Sequence, residues 1–217
     1  MRPRLKVCGV TDPRFAAEAV RSGVDYIGVI FAAASPRKVD VPKARQIAAA
    51  ARAAGGERTP KVVGVFTSGA AAEIADAAAA VPLDVVQLHG AFGDEAVAAL
   101  KGEGYEVWRL WAGTHGAEDA VLLDGRDGGR VGGTGRLADW ALAGELGKRG
   151  LRVVLAGGLS AANAAEAAST GADVLDFNSS LETSPGVKSM AKLDELMYRI
   201  GLWDGRMLSD YPLEARI

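Results

Sequence analysis

The sequence has one cysteine, Cys8, in 217 residues. A lone thiol cannot close an intrachain disulfide, so a disulfide-stapled secreted framework is excluded and a reducing, cytoplasmic setting is expected. No apolar run approaches about 18 residues, which excludes a transmembrane helix. The basic N-terminal stretch carries an apolar segment too short for a secretory signal. Neither sign of charge dominates: 25 lysines and arginines stand against 27 acidic residues, for a formal net charge of −2. That balance argues against a protein built to grip nucleic acid, and neither nucleic acid nor membrane is expected as a partner. Aromatic residues are scarce, at 6%. Alanine and glycine are abundant, with 28 of the latter, so many side chains are small and tight loops are expected. With 49% hydrophobic residues, the chain is long enough to bury a core without staples.

Short β-branched runs alternate with alanine-rich stretches. The runs are Leu5–Cys8, Tyr26–Phe31, Lys61–Thr67, Asp84–His89, Glu106–Leu110, Val121–Asp124, Arg152–Ala156 and Asp173–Phe177. Each is apolar and closed by Gly, Ser, Thr or Asp, the pattern of strands buried on both faces of a parallel sheet. Helices are predicted at Pro13–Ser22, Pro42–Ala54, Ala70–Ala80, Asp94–Lys101, Ala138–Lys148, Ala161–Ser169 and Ser189–Ile200. Thr11-Asp12-Pro13 places a capping side chain before a first-turn proline.

Eight strands alternating with helices allow an open doubly wound sheet or a closed (β/α)8 TIM barrel. The first strand ends in Cys8-Gly9-Val10-Thr11-Asp12, which is no dinucleotide fingerprint. The glycine-rich turns come late, at Gly132–Gly135 and Gly157-Gly158, where barrels commonly hold phosphate. A minimal barrel over residues 1–200 is therefore expected. Only about ten residues separate the fifth and sixth strands, too few for a full crossover, so an abbreviated fifth helix is predicted. Residues 201–217 read as a tail that packs on the barrel or frays.

Active sites of such barrels sit at the C-terminal ends of the strands. The polar residues there are Cys8, Ser35-Pro36-Arg37, Gln87, His89, Asp124, Gly132–Gly135, Gly157-Gly158, Asp176 and Asn178–Ser180. Gly157-Gly158 lets backbone N–H groups approach an anion closely, and Asn178, Ser179 and Ser180 add further donors, so these five are the candidate phosphate site. His89 is either a substrate contact or a satisfied structural histidine.

The order Lys6-Val7-Cys8-Gly9, Ser35-Pro36-Arg37, Val63–Phe66, Gln87–Gly90, Leu122–Asp124, Gly132–Gly135, Ala156–Leu159 and Glu182–Lys188 resembles the N-(5′-phosphoribosyl)anthranilate isomerase family of tryptophan biosynthesis. The resemblance implies a (β/α)8 barrel that performs an Amadori rearrangement of an aminoaldose to an aminoketose, with a small-molecule substrate, no cofactor and no metal. It makes Cys8 the general base, Asp124 the general acid, and Arg37 the partner of the anthranilate carboxylate. His89 shares a strand face with Gln87, which points it toward the mouth and the anthranilate side. Family members occur as monomers or homodimers. Gly133, within Gly132–Gly135, either lines the anthranilate side or supports the phosphate loop.

A free thiol titrates near about 8.5, so a thiolate base needs a positive neighbour. Strand alternation puts Lys6 on the face of Cys8, one layer down in the barrel. A lysine there needs a partner, and the eighth strand, beside the first in a closed barrel, offers Asp176. A Lys6–Asp176 pair below the thiol, with Lys6 helping to favour the thiolate, is the expectation. The chain departs from the family at the eighth strand, where Asn178 replaces a serine and Ser180 a glycine. If that glycine needs positive φ, serine would strain the loop by about 1–2 kcal/mol. The competing readings are a bifunctional isomerase that also serves histidine biosynthesis, an indole-glycerol-phosphate synthase, and a non-catalytic barrel that binds a phosphorylated ligand.

Overall fold

The computed structural model describes residues 2–125 and 140–201. Eight strands, each within one residue of its predicted ends, form a closed parallel barrel in chain order: β1 (Arg4–Val7), β2 (Tyr26–Ile30), β3 (Lys61–Phe66), β4 (Val85–Leu88), β5 (Glu106–Leu110), β6 (Ala120–Asp124), β7 (Val153–Ala156) and β8 (Val174–Phe177). The helices outside it are α1 (Pro13–Arg21), α2 (Val41–Ala54), α3 (Ala71–Ala80), α4 (Asp94–Gly102), α5 (Trp140–Lys148), α6 (Ala164–Ser169) and α7 (Met190–Arg199).

Local chemistry sets the helix starts. The Asp12 carboxylate accepts from Arg14 N at 2.9 Å ahead of Pro13, and Asp40 does the same for Lys43 N at 2.9 Å; each cap satisfies an orphan first-turn N–H. Helix α6 begins three residues later than predicted. Asn163 Oδ1 accepts from Ser160 N at 2.8 Å while its Nδ2 donates to Gly158 O at 3.0 Å, which holds residues 161–163 as a turn.

Two apolar layers result. Aliphatic side chains fill the shell between barrel and helices. Inside the barrel Tyr26, Val63, Val85, Trp108, Leu122, Val154 and Val174 form a second cluster. Tyr26 and Trp108 meet edge to face at 5.1 Å, and Arg152 lies over the Trp108 ring at 5.6 Å while donating to the Tyr26 hydroxyl at 2.7 Å. This filled floor leaves the C-terminal mouth for chemistry.

The fifth crossover corrects the sequence reading. Between β5 and β6 there is no helical turn at all. Gly113 takes φ +94°, and the Glu118 carboxylate accepts from Gly116 N at 3.1 Å. Glu118 also pairs with Arg109 at 2.8 Å, both side chains being buried. Backbone groups that a helix would have satisfied are met by these side chains instead.

A second departure lies after β8. A short 3₁₀ turn, Ser179–Leu181, leads into a small antiparallel hairpin of β9 (Glu182–Ser184) and β10 (Val187–Lys188), which the sequence pattern does not predict. Glycines 132–135, including Gly133, and the tail beyond Gly201 lie outside the described residues. Among the described residues no helix is long and apolar enough to cross a membrane.

Candidate active site

At the C-terminal mouth one cavity is lined by Cys8, Arg37, His89, Asp124, Gly157, Gly158, Asn178 and Ser179, together with Ser35, Thr67, Gln87 and Asp176. Strand alternation explains the gathering: Cys8 follows β1, Asp124 ends β6, and Gln87 and Asp176 sit on inward-facing positions of β4 and β8. Lys6 is one layer below Cys8, fully buried. Ser180 does not line the cavity. Its hydroxyl is buried within the 3₁₀ turn without a protein partner. Nor does Ser180 take positive φ, so the replacement of glycine there carries no backbone strain.

Strands β1 and β8 pair Lys6 with Asp176 in register, and Lys6 Nζ lies 2.6 Å from Asp176 Oδ2. Burial opposes the charge on Lys6, but the Asp176 carboxylate and the Cys8 sulfur beside it hold the ammonium above the ordinary lysine value. The same burial pushes the Cys8 thiol up. Lys6 and Lys188 pull it down, Asp176 pushes with the burial, and the balance stays above the ordinary thiol value. Lys6 therefore lowers the cost of a thiolate, in the sense expected of it, while burial and Asp176 oppose it.

Opposite the thiol, Asp124 Oδ2 lies 3.4 Å from His89 Nε2. The glycine after β7 makes this arrangement possible. Gly157 has φ +80°, and a Cβ there would come within 2.5 Å of Asp124 Oδ1 and 2.2 Å of Gly125 N. Gly157→Ala is expected to displace Asp124, lowering kcat by more than about tenfold, and to strain the backbone by about 1–2 kcal/mol. Steady-state kinetics beside thermal unfolding checks both effects, and a Gly157→Ala enzyme with unchanged kcat would count against a tightly placed Asp124.

Arg37 projects from the β2–α2 loop. Its Nε and Nη2 donate to Glu182 Oε1 and Oε2 at 2.8 and 2.7 Å, a bidentate fork. Lys188 Nζ donates to Glu182 Oε1 at 2.8 Å and to Asn178 O and Oδ1 at 3.0 and 2.9 Å. Burial resists the charge on Glu182, but the hydrogen bonds and charges of Arg37 and Lys188 win and bring its carboxyl down to about 2. Because that lies below the ordinary glutamate value, the clamp contributes stability above about pH 4.5 and loses it as pH falls toward 2. Gly9 makes room for the group: a Cβ there would meet Arg37 Cδ at 2.6 Å and Asn178 Oδ1 at 2.9 Å, at φ +70°. Glu182 and Lys188 are site residues that the sequence reading misses. The signal available is the Ser184-Pro185-Gly186 turn, which folds the two back toward each other. Asn178, the other departure from the family pattern, supplies two of the three acceptors on Lys188.

A closed (β/α)8 barrel whose mouth gathers a thiol, a carboxyl, a clamped arginine and a glycine-rich turn defines an enzyme of the acid–base barrel class. The sequence model of N-(5′-phosphoribosyl)anthranilate (PRA) isomerase matches residues 5–199, and the chain belongs to that family. It is 36% identical to the N-(5′-phosphoribosyl)anthranilate isomerase of Acidithiobacillus ferrooxidans over 91% of this chain and 97% of that protein. It is 37% identical to the tryptophan biosynthesis protein TrpCF of Vibrio cholerae over 90% of this chain, but spans only 41% of that longer protein. Among solved structures, the phosphoribosyl anthranilate isomerase from Thermus thermophilus is similar with a TM-score of 0.74 and 32% identity, covering 91% of this chain and 98% of that one. A phosphoribosyl anthranilate isomerase in complex with reduced 1-(o-carboxyphenylamino)-1-deoxyribulose 5-phosphate is similar with a TM-score of 0.73 and 26% identity, covering 92% and 98%.

Proposed function

We propose that the protein converts N-(5′-phosphoribosyl)anthranilate to 1-(2-carboxyphenylamino)-1-deoxyribulose 5-phosphate, with Cys8 as general base and Asp124 as general acid. The observation that carries this reading is that Cys8, Asp124, Arg37 and Gly157-Gly158 line one cavity, so that acid, base and both anionic ends of the substrate are served together.

In this reading Asp124 gives its proton to the furanose ring oxygen, and the C1′–O bond breaks as the ring opens to a Schiff base. The Cys8 thiolate removes the proton from C2′, and the electron pair moves to form the enolamine. Tautomerisation to the ketone completes the isomerisation with no net gain or loss of atoms. Arg37 takes the anthranilate carboxylate, for which a planar guanidinium is suited. The turn at Gly157-Gly158, both at positive φ, with Asn178 and Ser179, takes the phosphate.

Two further acceptors suit a sugar. Asp176 Oδ1 and Gln87 Oε1 are buried without a hydrogen bond from the protein, and both residues line the cavity. Buried acceptors need donors, which ribose hydroxyls supply.

The decisive assay follows the fluorescence of freshly made phosphoribosylanthranilate. Addition of the protein is expected to abolish it catalytically. No loss at high protein concentration would favour a barrel that only binds a phosphorylated ligand.

A further inference from the structure

We infer that Glu182 and Lys188, carried on the β9–β10 hairpin, are positioning residues that hold Arg37 ready for a ligand carboxylate. This rests on the function proposed above.

The fork between Arg37 and Glu182 uses the Nε–Nη2 edge of the guanidinium. A guanidinium has five N–H donors in one plane, so fixing that edge also fixes where the rest point. Arg37 lines the cavity and is its permanently charged cation among the described lining residues. Both acidic oxygens of Glu182 are occupied, and its side chain is only 4% exposed, so it is unavailable to any ligand itself.

A fork alone would work against binding. Arg37 and Glu182 together carry no net charge, and a neutral pair attracts a carboxylate weakly. Lys188 answers this. Its side chain is 2% exposed, and it sits 2.8 Å from the same carboxylate. Arg37, Glu182 and Lys188 together have a net charge of +1, which leaves the charge of Arg37 effective toward the cavity. An ammonium has three donors, and Lys188 spends them on Glu182 Oε1 and on Asn178 O and Oδ1. It therefore acts through Glu182 rather than by touching the ligand.

The hairpin is the device that brings these groups together. Antiparallel pairing sets Lys188 opposite Glu182, and Lys192 Nζ donates to Glu182 O at 2.5 Å. Thr11 Oγ1 donates to Gly186 O at 2.6 Å, which fastens the hairpin turn to the loop after β1. A held arginine loses less freedom when the carboxylate arrives, and preorganisation of this kind appears as affinity.

The test compares two stable ligands, reduced 1-(o-carboxyphenylamino)-1-deoxyribulose 5-phosphate and its counterpart lacking the ring carboxylate. Dissociation constants are measured by calorimetry for the wild type, Glu182→Gln, Glu182→Asp and Lys188→Met. Glu182→Gln is expected to weaken the carboxylate ligand about tenfold or more and to leave the other within about twofold, and Lys188→Met, which also frees Asn178, to cost the carboxylate ligand about tenfold more than the other. Glu182→Asp, which keeps the charge, should retain part of the difference. For Glu182→Gln with phosphoribosylanthranilate, KM should rise in parallel while kcat stays within about twofold, the mark of lost uniform binding.

Equal weakening of both ligands would show a merely structural salt bridge and overturn the inference. So would tighter binding of the carboxylate ligand by Glu182→Gln, the result that a simple gain of positive charge gives. A fall in kcat at constant KM would overturn it as well. Absence of turnover by the wild type would overturn the proposed function instead, while the two binding constants still judge the clamp.

Discussion

Cys8→Ala is expected to lower kcat by about 10²- to 10⁴-fold, the range that a positioned general base supplies, while ligand affinity changes little. The thiol packs beside Ile30 and Val65, and the change to alanine removes a single heavy atom. Asp124→Asn should give a loss of similar size, since the amide cannot give up a proton to the ring oxygen. The pH profile separates the two. Burial holds the Cys8 thiol above its ordinary value, with Asp176 adding to that push and Lys6 and Lys188 opposing it. The thiolate is the active form of a base, so activity must be lost as pH falls through that raised value. For the wild type kcat/KM should still be climbing above about pH 8.5, the ordinary thiol value. That rise should vanish in Cys8→Ala and survive in Asp124→Asn. A Cys8→Ala enzyme within about threefold of wild-type turnover would remove Cys8 from the mechanism.

The largest effect on stability is expected at Lys6. Lys6→Met leaves the Asp176 carboxylate buried without its 2.6 Å partner, and breaking a buried pair from one side costs about 3–5 kcal/mol. For a domain of this size each kcal/mol moves Tm by about 2–4 °C, so a drop on the order of 10 °C is expected in calorimetry. The double variant Lys6→Met/Asp176→Leu removes both charges and should recover most of that drop, because a well-packed apolar pair often matches a buried ionic one. It should remain catalytically poor, having lost both the moderating charge beneath Cys8 and the acceptor on Asp176. If Lys6→Met unfolds within a degree or two of wild type, the pair is not what holds the barrel interior at that layer.

Much of this architecture is legible in the sequence. The strands are uniform β-branched runs with glycine or polar ends, and burial on both faces leaves no competing period. The Lys6–Asp176 neighbourhood follows from alternation along β1 and the adjacency of first and last strands in a closed barrel. The fifth crossover is harder to read because its fold depends on side chains from elsewhere: Arg109 on β5 binds Glu118 and reaches Asp94 at 2.6 Å on α4. The clamp on Arg37 is hidden for a similar reason. Arg37 and Glu182 are 145 positions apart, and strands of two or three residues carry no period to detect. A distant pair is legible where regular strand adjacency brings it together, as with Lys6 and Asp176, and hidden where irregular loops and a short hairpin do so.

The register between β1 and β8 also orders events during synthesis. Lys6 leaves the ribosome 170 positions ahead of the carboxylate that pairs with it. Until then an emerging barrel holds an ammonium that cannot be enclosed in an apolar interior without a partner. The half-made barrel is thereby discouraged from sealing early on an incomplete set of strands. The last barrel strand to be translated brings the neutralising charge, closes the ring and finishes the floor beneath the thiol in one step, so a chain stopped before β8 has neither a dry interior nor a working mouth.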